Sequence, residues 1–146
     1  MRTEKQIKKF YAKWSPSVLA FCCVLLGNGS DAEKMAVEAF QGYLGRDLDL
    51  DFVKVPALLF IFAIEAARKL ALPRHAGSIE ALQDAVVFLP WKERGVFALR
   101  GPLGFEDGLV SEIVEIPIRE VSRMWISSLF CLRTLLPTDF FSGRAK

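Results

Sequence analysis

Residues 106–135 read EDGLVSEIVEIPIREVSRMWISSLFCLRTL, and the fold turns on this stretch. An apolar-periodic run from about Glu106 to Val114 is followed by Glu115-Ile116-Pro117, then by a longer periodic run from about Ile118 to Leu135. Proline cannot extend a helix that precedes it but suits the start of the next one, so the spacing predicts a short helix, a tight turn and a longer helix. That is the helix-turn-helix plan, in which the second helix lies in the major groove of DNA. In the longer run Val121, Met124, Trp125, Ser128, Leu132 and Leu135 form an inward stripe, leaving Arg119, Ser122, Arg123, Ile126 and Ser127 on the opposite face. Arg119 and Arg123 are suited there to phosphates or guanine edges. The same pattern serves equally well as a packing unit with two solvated arginines, and spacing does not choose between the two.

Upstream of this stretch the periodicity is also helical. Ser78 is placed to cap a helix through Leu89 carrying Ile79, Leu82 and Val86, and after Pro90 a further helix runs through Val96, Phe97 and Leu99 before Gly101-Pro102-Leu103-Gly104 breaks it. At the other end of the chain, Thr3 to Gln6 is a capping box, followed at three- and four-residue spacing by Ile7, Phe10, Tyr11, Trp14, Val18, Phe21, Cys22 and Leu25. Ser15-Pro16 falls inside this pattern, which leaves open two abutting helices or one kinked helix. Gly27-Asn28-Gly29 ends it, and Ser30 to Glu33 is a second capping box ahead of the stripe Ala32, Met35, Ala36, Ala39, Phe40 and Tyr43. A third, almost wholly apolar helix is expected from Pro56 to about Leu72, and it must be covered on most of its sides. Leu72 to Ser78 is the one linker-like stretch. The expectation is therefore an all-α chain of two small lobes, residues 1–72 and 78–136, with a linker at 73–77 and a loose tail at 137–146.

Composition narrows the function. The 146 residues are 52% hydrophobic with twelve Phe, so most of the chain folds, and some apolar side chains must lie at the surface of so small a body, where a partner would cover them. A net charge of +2 is too even for bulk attraction to nucleic acid, so any DNA contact must be local. Cys22, Cys23 and Cys131 have no C-x-x-C spacing, which points to a reducing cytoplasm and neither a disulfide framework nor a zinc site. The longest apolar runs, Val18–Leu26 and Ala57–Ile64, fall short of the roughly 20 residues of a membrane span, and Gly27-Asn28-Gly29 is a poor signal-cleavage site, so no membrane partner is expected. Asp47, Asp49 and Asp51 alternate like calcium ligands, but Phe52 and Leu58 stand where an EF-hand needs Gly and Glu; a solvated loop is the better reading. His75 lies in the linker without an activated neighbour, phosphate-binding glycine motifs are absent, and Glu33 and Glu38 are five residues apart on one helix, so neither an enzyme nor a cofactor is expected.

The order of several short motifs resembles the small two-lobed bacterial sigma factors of extracytoplasmic-function type. In the N-terminal half these are Phe10-Tyr11, Val18-Leu19, Leu25-Leu26-Gly27, Asp31-Ala32-Glu33 and Glu38-Ala39-Phe40. In the C-terminal half they are Ala81-Leu82, Leu89-Pro90, Lys92 to Arg100, Glu112-Ile113, Ile116-Pro117 and Val121. The resemblance implies a first lobe that docks on core RNA polymerase, with Asp31, Glu33 and Glu38 in the docking segment, and a second that reads promoter DNA through Arg119, Ser122, Arg123 and Ser127. This chain departs from the family at Ala20, Cys23 and Val24 on the first helix, where charged residues are usual, at Ile61, Ile64 and Glu65 on the third, where basic or polar residues are usual, and at Met124 and Phe130 on the last, where basic residues are usual. Glu115 also stands where the family's turn uses glycine. The apolar replacements among these departures favour the alternative of a sigma-like protein that does not initiate and acts by protein contacts, as a mimic, an anti-sigma decoy or a homodimer, while the intact order of the motifs favours a sigma factor that binds core polymerase and directs initiation, the reading ranked first.

Overall fold

A computed structural model describes residues 3–27, 29–46, 50, 54–69 and 89–135. The acidic loop of Asp47, Asp49 and Asp51, the linker with His75, the helix expected from Ser78 through Leu89 except for Leu89 itself, and the tail after residue 136 lie outside the described residues. The described residues form six helices and no strand: α1 Glu4–Leu26, α2 Gly29–Leu44, α3 Ala57–Lys69, α4 Trp91–Arg100, α5 Asp107–Val114 and α6 Ile118–Leu135. The protein is all-α, in two compact units divided between Leu72 and Pro73. Among the described residues no helix is long and apolar enough to cross a membrane.

The N-terminal unit packs α1, α2 and α3 against one another. Thr3 and Gln6 close the capping box reciprocally, Gln6 N–H donating to Thr3 Oγ1 at 3.1 Å and Thr3 N–H to Gln6 Oε1 at 2.9 Å. Between the two readings left open at Pro16, the outcome is one continuous helix. Proline removes the bond to the carbonyl of Ala12, and both residues lie on the exposed side, where water satisfies that carbonyl at little cost. Gly27 ends the helix at φ 80°, a left-handed conformation that glycine adopts freely, and donates to the Cys23 carbonyl. Two details depart from the sequence reading. Tyr11 is exposed and lies against the Phe40 ring at 4.7 Å, and α2 starts at Gly29, so Ser30 sits in its first turn and not at its cap.

All six residues of the α2 stripe are buried. Three of them are alanines, whose methyl groups let the helix lie close to both neighbours, while aromatic rings fill the remaining space. Phe10 stacks on Tyr43 at 5.3 Å and meets Phe40 edge-on, and Phe21 meets Phe60 at 5.6 Å. Helix α3 buries Leu59, Phe60, Ala63, Ile64, Ala66 and Ala67, with Leu58, Ile61 and Phe62 half-buried, which matches the cover that its apolar run demands.

The C-terminal unit is built around α4, buried from Arg94 to Leu99, with α5 and α6 packed on it and on each other. Arg94 enters this core because its Nε and Nη2 donate to the Leu89 carbonyl at 3.3 and 3.0 Å; burial pulls its guanidinium below the ordinary value. Phe97 stacks on Trp125 at 5.8 Å and so joins α4 to α6.

Candidate nucleic-acid interface

The turn between α5 and α6 sets the direction of the outward face of α6. Helix α5 ends at Val114, and Glu115 takes the left-handed conformation, φ 63° and ψ 53°, the one non-glycine residue with positive φ among those described. The Ser111 carbonyl accepts from the N–H groups of Glu115 and Ile116, the second bond being that of a Schellman ending. Ser111 Oγ also donates to the Ile116 carbonyl at 2.6 Å, and Ile116 is buried, which pins the chain where it reverses. The first turn of α6 then closes from Glu120 N–H to the Pro117 carbonyl.

Val121, Ser128 and Leu132 are buried and Met124 and Trp125 half-buried, as the amphipathic stripe requires. Arg119, Ser122, Arg123 and Ser127 are all exposed, and at 100° per residue they occupy one outward arc of α6. Their side chains differ in what holds them. Arg119 makes no ion pair among the described residues. Arg123 donates from Nε to Glu120 Oε1 at 2.6 Å, with Nη2 on the same oxygen. That hydrogen bond and the Glu120 charge, with Glu93 of α4 adding to them, hold its guanidinium above the ordinary value. Ser122 Oγ donates to Asp107 Oδ2 at 3.2 Å, so the hydroxyl also ties α6 to the start of α5.

Asp107 was not singled out by sequence reasoning, yet it is the hub of this unit. Its Oδ1 accepts from Arg100 Nε at 2.7 Å and its Oδ2 from Ser122, holding α4, α5 and α6 in one angle. The Arg100 hydrogen bond, with a smaller contribution from Ser122, keeps the Asp107 carboxyl below its ordinary 3.8. The one sequence signal for it was an acidic residue in a first helical turn, which most helices carry for the dipole alone. Across residues 89–135 acidic and basic side chains are equal in number, so this segment carries no bulk basic excess.

The three carboxylates of the expected polymerase-docking segment do not converge. Asp31 and Glu38 are seven residues apart on α2 and share one flank of its buried stripe, while Glu33 lies on the other flank. Glu38 pairs with Lys69 of α3 at 3.7 Å. Glu33 lies toward α1, where burial first and its charge second push the Cys23 thiol above the ordinary value. Of the residues that depart from the sigma pattern, Ile64 is in the core and Phe130 is open to solvent. No three His, Cys, Asp or Glu side chains come together as metal ligands among the described residues. No protein-family model matches the chain, and no curated protein matches it in sequence.

Proposed function

We propose that this protein is a sigma-like transcription regulator that acts in the cytoplasm, meets promoter DNA through the N-terminal half of α6 and binds core RNA polymerase through α2. The observation that carries the reading is the placement of Arg119, Ser122, Arg123 and Ser127 on one exposed arc of α6, the second helix after a three-residue turn, with Val121, Ser128 and Leu132 buried behind it. A recognition helix enters the groove with its N-terminal residues, and that is where Arg119, Ser122 and Arg123 stand. Arg119 is available to a phosphate or a guanine edge, and Arg123 reaches one by exchanging its Glu120 contact.

The test is selection from a pool of random duplexes at low ionic strength, followed by a salt titration and co-migration with core polymerase. A preferred sequence should emerge, and R119A with R123A together should lower the salt slope by about two. Absence of affinity even at low salt removes α6 from DNA. A second reading, a sigma-like protein that works by protein contacts alone, is favoured by the exposure of Ile118, Ile126, Leu129 and Phe130 on the same helix. It is separated from the first by co-migration with another regulator in the absence of any duplex binding.

A further inference from the structure

Four of the six large apolar side chains that face solvent among the described residues belong to α6: Ile118, Ile126, Leu129 and Phe130, exposed by 57, 52, 42 and 67%. Isolated apolar residues at a surface need no explanation, but Ile126, Leu129 and Phe130 adjoin one another at three- and four-residue spacing. Arg119, Arg123, Ile126, Phe130 and Arg133 fall on a single line along the helix, separated by four, three, four and three residues. That alternation is the spacing by which one helix packs along another, and on this line its apolar positions are Ile126 and Phe130, with Leu129 beside them. An arginine stands at each end, and Arg119 and Arg133 are about 21 Å apart along the axis.

The chemistry of this line selects the occupant. Ile126, Leu129 and Phe130 offer no hydrogen bond to phosphates or base edges, so the apolar patch itself adds nothing to a DNA contact. A second copy of the same helix sets like charges together in either direction. Run antiparallel, Arg119 would oppose Arg133; run parallel, each arginine would oppose itself. A helix with an apolar seam and carboxylates at its ends meets both requirements.

We propose that the outward face of α6, from Ile126 to Arg133 and with Arg119 at its far end, docks an acidic amphipathic helix of a partner protein. The inference gives a surface and a partner chemistry to the protein-contact reading, and it stands on the exposed face whether or not the start of α6 also meets DNA. The full-length chain is panned against displayed single helices with a fixed apolar seam and randomised flanking positions. Asp and Glu should be enriched at the flanks, and the selected helices should lose about tenfold or more in affinity to Phe130→Asp and to Arg133→Glu. Because these side chains are exposed, both variants should keep the helical circular-dichroism spectrum of the parent. The doubly reversed variant Arg119→Glu, Arg133→Glu should select Lys and Arg at the same flanks, a reversal that general damage to the fold does not produce. Recovery of no helix, or of helices without charge bias, overturns the proposal. So does dimerisation lost on Phe130→Asp, which assigns the face to a second copy. Loss of binding to anionic phosphatidylserine vesicles, or of duplex binding, as the chief effect of Phe130→Asp overturns it in favour of a lipid surface or DNA.

Discussion

Arg100 and Asp107 are joined by a 2.7 Å hydrogen bond from Nε to Oδ1, and the same guanidinium lies 5.2 Å from the centre of the Trp125 ring. One arginine at the end of α4 thus meets the start of α5 by a charged hydrogen bond and the middle of α6 by a cation–π contact.

The first prediction concerns pH. Asp107 has a carboxyl held below its ordinary value in the folded protein, so its contribution is complete above 3.8 and disappears as pH falls through the lower folded value. Asp107→Asn should remove that part of the acid sensitivity of the C-terminal unit. Above pH 5 it should cost on the order of 1 kcal/mol, since water screens a group of this exposure. Urea melts across pH 2 to 7 monitored by tryptophan fluorescence check it; identical pH profiles for parent and variant would reject it.

Glu115 provides a second. A side chain in the left-handed region is strained by about 1 kcal/mol or more, and glycine relieves this while gaining freedom in the unfolded chain. Glu115→Gly should raise the stability of the C-terminal unit by about 0.5 kcal/mol, seen as a higher urea midpoint at unchanged slope. A drop in midpoint would mean that the Glu115 side chain contributes more than its backbone costs.

Close approach at the end of α4 gives a third. A methyl group added at Gly101 would lie 2.9 Å from the Phe97 carbonyl oxygen and 3.2 Å from the Trp125 ring. Gly101→Ala should therefore destabilise by roughly 1–3 kcal/mol and shift the tryptophan emission, because the indole must move off Phe97. Unchanged emission and stability would show that the ring has room to give.

The aromatic core of the N-terminal unit supplies a fourth. Phe10 is fully buried against Tyr43 and Phe40, so Phe10→Ala should cost about 3–5 kcal/mol in chemical denaturation. Tyr11→Ala, one residue on and exposed, should cost far less. Equal losses would place the stack outside the core.

Thiol chemistry offers a fifth. Burial, with Cys23 beside it, pushes the Cys22 thiol up to about 12, so almost no thiolate is present near neutral pH. Cys22 should react with an aromatic disulfide reagent only as fast as the N-terminal unit opens, and its rate should rise with urea. Prompt labelling of Cys22 in native protein, read by peptide mapping, would contradict its place in the core.

Much of the fold was legible because helical periodicity is local. The α2 stripe was foreseen residue by residue, as were the turn at 115–117 and the outward set on α6. Each rests on spacing of 3.6 residues and on where proline and glycine fall. Tyr11 was misplaced because a helix has two edges to its buried stripe, and which one a neighbour covers is decided by helix crossing. Pro16 stayed ambiguous because a broken bond is tolerable or not according to whether water reaches the freed carbonyl.

Chain order and periodicity were enough to establish an all-helical protein with an amphipathic last helix, since each element buries its own stripe. They could not reveal that Asp107 reaches Arg100 and Ser122 across three helices, or that Glu38 pairs with Lys69 of α3. Nor could they show that Phe130 is open to water while Ile64 is not. Those outcomes depend on contacts between residues distant in the chain, which packing creates and no local pattern encodes.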